Sequence, residues 1–70
     1  MSEYVVIYEQ GDDEGWGAYI PDLPGVVALG STRAEVTERI REALDAYVDD
    51  VRERGGSMPA PHHVADTVVT

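Results

Sequence analysis

The chain contains no cysteine, which excludes disulfides, thiolate metal sites and a cysteine nucleophile. Basic residues are scarce. Five Lys and Arg stand against 14 Asp and Glu, giving a formal net charge of −9 and a pI near 4.3. Phosphate binding needs clustered cations, so this balance argues against a nucleic-acid binder and against attraction to an anionic membrane surface. Long apolar runs are missing too, and no stretch approaches the roughly 18–20 residues that span a bilayer. Met1-Ser2-Glu3-Tyr4 has no basic n-region of a secretory signal, so the expected address is cytoplasmic.

What remains is one small domain over residues 1–70, with 43% hydrophobic residues. A domain of this size buries only about 60% of its unfolded surface and is marginal alone. Without disulfides or metals, such scaffolds often gain stability by oligomerising. The acidity suits a basic partner, or keeps the chain soluble by self-repulsion.

Tyr4-Val5-Val6-Ile7-Tyr8 is a run of β-formers and reads as a strand. Gln10-Gly11-Asp12-Asp13-Glu14-Gly15 is too charged to be buried and reads as a turn. Trp16 to Ile20 resumes as a second strand, with Trp16, Ala18 and Ile20 on one face. Pro24-Gly25 supplies the two central residues of a type II turn, and Val26-Val27-Ala28-Leu29 follows as a third strand. Thr32 with Glu35 fits a capping box, with Ser31 as the rival cap. Val36, Ile40, Ala43, Leu44, Tyr47, Val48 and Val51 then recur at helical spacing as one apolar stripe. Gly55 is the expected C-terminal cap. Pro59 and Pro61 mark an extended connection, and Thr67-Val68-Val69 reads as a last strand.

The expected fold is therefore α+β, in the order β-β-β-α-β. One amphipathic helix should cover one face of a four-stranded mixed sheet, with the last strand parallel to the first at the sheet's edge. One helix covers only one face, so the second face should be buried against another chain. Tyr4, Val6 and Tyr8 are the residues expected on that oligomer face.

Little here points to catalysis. Glu9 and Asp22 lie at strand ends, but no convergent set of carboxylates emerges of the kind that two-metal nucleases use. His62-His63 is adjacent in an extended segment, so the rings point to opposite sides and lack further ligands. Ser31 and Ser57 have no His-Asp partners and read as cap and loop. No metal, cofactor or catalytic residue is expected.

The run Gly15-Trp16-Gly17-Ala18-Tyr19-Ile20-Pro21-Asp22-Leu23-Pro24-Gly25-Val26, then Gly30-Ser31-Thr32, Glu35 and Ala43-Leu44, resembles the HicB family of antitoxins, partial RNase H-like domains. The likeness covers nearly the whole chain, through Met58-Pro59-Ala60-Pro61. The resemblance implies a non-enzymatic domain that binds and blocks a small basic, mRNA-cleaving HicA-like toxin. Many relatives carry a second, C-terminal DNA-binding domain, which is not expected here, so the chain should not bind DNA by itself. Trp16, Tyr19, Asp22 and Leu23 are the expected partner face, with Asp12, Asp13 and Glu14 at its rim. For Trp16 the rival reading is packing against the helix, and for the acidic triplet a solvated turn. Three alternatives stand beside the antitoxin: an orphan homo-oligomeric module, a metal-dependent RNase H-like nuclease, and a fragment of a longer repressor.

Overall fold

The computed structural model describes residues 3–70, so Met1 and Ser2 of the expected domain lie outside the described residues. Three strands form first: β1 (Ile7–Gln10), β2 (Trp16–Tyr19) and β3 (Val27–Gly30). They pair antiparallel in the order β1-β2-β3, with Tyr8 opposite Ala18 and Ala18 opposite Ala28. One helix, α1 (Arg33–Glu53), follows.

Each connection has a local cause. In the β1–β2 hairpin the Glu14 amide donates to the Gly11 carbonyl, and the Gly11 amide to the Gly15 carbonyl. Glu14 sits at φ 65°, where such a loop usually places glycine. Asp13 steadies the bend by accepting from the Gly15 amide at 3.1 Å. In the β2–β3 connection the Val26 amide donates to the Leu23 carbonyl, and Gly25 has φ 93°. This is the expected type II turn, with Pro24 and Gly25 at its centre.

The helix begins at Thr32, whose hydroxyl accepts from the Glu35 amide at 3.1 Å. The Glu35 carboxylate reaches back to the Ser31 amide at 2.9 Å. The box is thus closed one residue further out than the usual reciprocal pair. At the other end Gly55, at φ 71°, donates to the Arg52 carbonyl, and Gly56 to that of Val51. That is a Schellman stop, as Gly55 leads one to expect.

The core lies between α1 and the facing side of the sheet. Ala18, Ile20, Leu23, Val26, Ala28, Val36 and Ile40 are buried together. The small side chains Ala18 and Ala28 let Val36 and Ile40 approach the strands closely. Leu44 and Tyr47, further along the stripe, are only partly buried.

Three expectations are corrected. The first strand begins at Ile7 rather than Tyr4. Continuing the register would set Val5 opposite Pro21, which has no N–H, just where the chain turns after Ile20. The sheet has three antiparallel strands among the described residues, not four in a mixed sheet. Thr67-Val68-Val69 has strand composition but no strand partner, because its segment is led off past the end of the sheet. Finally, Tyr4, Val6 and Tyr8 pack against the core on the helix side. Tyr8 is opposite Ala18, so its parity is that of the covered face. Its hydroxyl lies 2.9 Å from that of Thr37, and Arg33 sits 4.8 Å from its ring centre.

Leu23 is 0% exposed. Leu23→Ala should cost about 2–5 kcal/mol in denaturant unfolding; a variant with the parent's midpoint would contradict this packing. Glu14→Gly should add about 1 kcal/mol by relieving the left-handed backbone, read as a higher midpoint with unchanged denaturant slope.

Candidate functional site

Strand parity determines what the second face presents. Side chains opposite in parity to Ala18 point away from α1: Ile7, Tyr19 and Val27 in one cross-strand row, Glu9, Gly17 and Leu29 in the next. Tyr19, Val27 and Leu29 are exposed, Leu29 by 75%. Gly17 leaves the middle of this face bare, and a Cβ there would come within 3.2 Å of Leu29 Cδ2. The result is a shallow apolar trough, floored by Gly17 and flanked by Tyr19, Val27 and Leu29. Glu9 and Asp13 line its hairpin end.

Net negative charge is concentrated in the strand half of the chain. All five basic residues of the chain lie between Arg33 and Arg54, in α1 or at its C-cap. Residues 1–32 hold six acidic side chains and no basic one. Two arginines are spent locally, Arg39 on Glu35 at 3.5 Å and Arg54 on Asp50 at 2.7 Å. The sheet face therefore offers apolar contact with carboxylates at its hairpin end and the Arg39 guanidinium at its β3 edge, on the Leu29 carbonyl, and its acidic end suits a basic partner with an apolar patch.

The expected site residues divide. Tyr19 lies on the open face, and Asp12, Asp13 and Glu14 are exposed in the hairpin beside it. Trp16 is partly buried against the core, the packing reading of that residue. Leu23 is turned inward by two successive turns and offers no surface. Ile7, Val27 and Leu29 went unnoticed as site residues, because runs in which every residue is apolar show no alternation from which to read a face.

Asp22 does something the sequence did not reveal. Its carboxylate accepts from the amides of His62 at 3.1 Å and His63 at 3.3 Å, and lies 2.7 Å from His63 Nδ1. Its side chain is 3% exposed. Burial pushes the Asp22 pKa up, but the His63 ring and the two amides outweigh it and hold the carboxyl below its ordinary value. With the Tyr4 hydroxyl donating to the Pro59 carbonyl at 2.5 Å, this clasp ties the C-terminal segment to the end of the sheet. Among the described residues no three His, Asp or Glu side chains converge as a metal site would require. No helix among them is long and apolar enough to cross a membrane.

Comparison with known proteins follows the same lines. The family described as HicB-like antitoxin of bacterial toxin–antitoxin systems matches residues 4–70. A UPF0150 protein of Thermoplasma acidophilum is 30% identical over 57 residues, covering 81% of this chain and 83% of that protein. The crystal structure of the N-terminal domain of the Burkholderia pseudomallei antitoxin HicB superposes with a TM-score of 0.67 at 28% identity. That match covers 93% of this chain and 69% of the other.

The clasp has a definite pH dependence. The folded pKa of Asp22 is lowered, so its stabilisation is complete above the unfolded value near 3.8 and is lost as pH falls through the lower folded value. The His62 and His63 amides should be protected from hydrogen exchange at neutral pH and lose protection only below that point. Asp22→Ala should remove the protection at every pH while leaving α1 protected. Equal protection in the variant would show that the clasp does not hold the segment.

Proposed function

This chain belongs to the HicB-like antitoxins of bacterial toxin–antitoxin systems, and from that membership we propose that it binds and blocks a small basic, mRNA-cleaving toxin of the HicA kind. The observation that carries the reading is the open sheet face. It joins Tyr19, Val27 and Leu29 to a half of the chain that has six acidic residues and no basic one. A toxin that grips RNA must present cations where RNA lies. An acidic surface that seats there competes with RNA directly, and long-range attraction raises the encounter rate. The apolar trough supplies the short-range contact that slows dissociation.

In this reading the domain is an inhibitor rather than a catalyst, working in the cytoplasm beside the toxin, and its partial RNase H-like architecture serves binding. It also self-associates, since a disulfide-free domain of this size is marginal alone.

The test is inhibition of RNA cleavage by a purified HicA-like toxin. The parent chain should inhibit stoichiometrically. Leu29→Glu should weaken inhibition by tenfold or more, because it sets a charge in the trough where about 1.4 kcal/mol or more of contact is lost. Leu29 is exposed, so the variant should melt like the parent. Undiminished cleavage with the parent chain would sink the proposal; full potency of Leu29→Glu would remove the open face from it.

A further inference from the structure

We infer that residues 64–70 are a donated strand that pairs with the free edge of β1 in a second copy of this chain. The inference rests on the self-association just proposed and identifies the surfaces that carry it.

The edge comes first. The Ile20 amide donates to the Val26 carbonyl, so Ile20 and Val26 are a hydrogen-bonded pair. By alternation, Ala18 and Trp16 direct their backbone groups to β3, and Tyr19 and Gly17 direct theirs to β1. Ile7 and Glu9 receive them, which leaves the amides and carbonyls of Val6, Tyr8 and Gln10 pointing outward. Among the described residues no backbone group bonds to these. The edge carries no proline and no lysine, the usual devices against pairing. The opposite edge is blunted, because Arg39 donates to the Leu29 carbonyl at 2.6 Å.

The strand is the second part. Val64, Val68 and Val69 are 95%, 89% and 96% exposed, although their residue type is seldom left so bare. The molecule is longer than a compact globule of its size, with a 21-residue helix and an exposed terminal segment. Its radius of gyration is 13.5 Å, against about 11 Å for a compact 70-residue domain.

Pro59 lies at Tyr4, just ahead of β1, and residues 62 and 63 lie at Asp22, past the end of β2. Residues 59–63 are thus held across the end of the sheet, from the Tyr4 hydroxyl to Asp22, and the exposed valines beyond them join no strand of their own sheet. A second copy has the same edge free. A strand added there would also cover a cleft between β1 and α1, whose apolar lining is Val6, Tyr8, Ile20, Ile40 and Leu44 and whose polar lining comes from α1. Alternate side chains of the donated strand point into that cleft. Exchange of identical segments closes a twofold dimer, leaving the open sheet face free for the toxin.

Light scattering of three proteins tests this. The parent should run at twice its 7.6 kDa mass. A chain ending at His63 should be a monomer. Gln10→Pro should also be a monomer, since it deletes an outward N–H that the internal ladder does not use. Circular dichroism should show α1 intact in both, and both should still inhibit the toxin. A parent that stays monomeric at its highest soluble concentration would overturn both strand donation and self-association. A dimer that survives truncation would overturn strand donation while self-association stands. A dimer lost on truncation but kept in Gln10→Pro would overturn the assignment to β1.

Discussion

One helix cannot cover two faces of a sheet, and most of what this protein offers to others follows from that limit. The strands alternate, so every residue committed to the core fixes its neighbour outside. Ala18 and Ala28 go under α1, and Tyr19, Val27 and Leu29 are thereby turned outward. The chain cannot make these positions core with the elements it has. Their apolarity is consistent with a face that meets another molecule rather than water, since exposed apolar patches of this kind mark interaction sites.

Charge placement is the second consequence. A net charge of −9 on 70 residues works against compactness through self-repulsion. The arginines are confined to the helix region, where two of them pair at helical spacing with acids one turn away. Exposed pairs of this kind contribute little stability. The strand segments themselves carry no cation, and Arg39 reaches the sheet from α1 at the Leu29 carbonyl on the β3 edge. An apolar centre with an acidic end can steer a basic molecule by charge at a distance and hold it by contact once seated.

Much of this was legible in the sequence where chemistry is local. The Thr32–Glu35 cap, the Pro24-Gly25 turn and the Gly55 stop each act within a few residues, and each formed as those residues dictate. The helix stripe was equally plain, and so was the family, whose pattern runs through the same turns and cap. Phase was not legible. Val5-Val6-Ile7-Tyr8 and Val26-Val27-Ala28-Leu29 are apolar at every position, so composition could not say which set faces α1. The register decided it, and moved Tyr4, Val6 and Tyr8 to the helix side. Leu23 looked like a surface turn residue until two consecutive turns folded it under. The clasp joins residues 40 and 41 positions apart, a separation at which sequence carries no signal.

The last strand shows how propensity and pairing differ. β-branched residues prefer extended backbone, yet residues 64–70, with three valines and two threonines, join no strand of their own sheet. Ordering such a segment loses backbone entropy at every residue. Valine burial and a hydrogen-bonded ladder can offset that loss only together, where an edge and an apolar cleft adjoin. The free side of β1 is such a place, with Leu44 and Tyr47 half-covered nearby. Asp22 holds the segment's start against the end of the sheet, so part of the ordering is complete before any partner arrives. The same clasp leaves Val64, Val68 and Val69 exposed beyond it. A contact that orders the start of the terminus thereby lowers the entropy that any later pairing of its valines would have to offset.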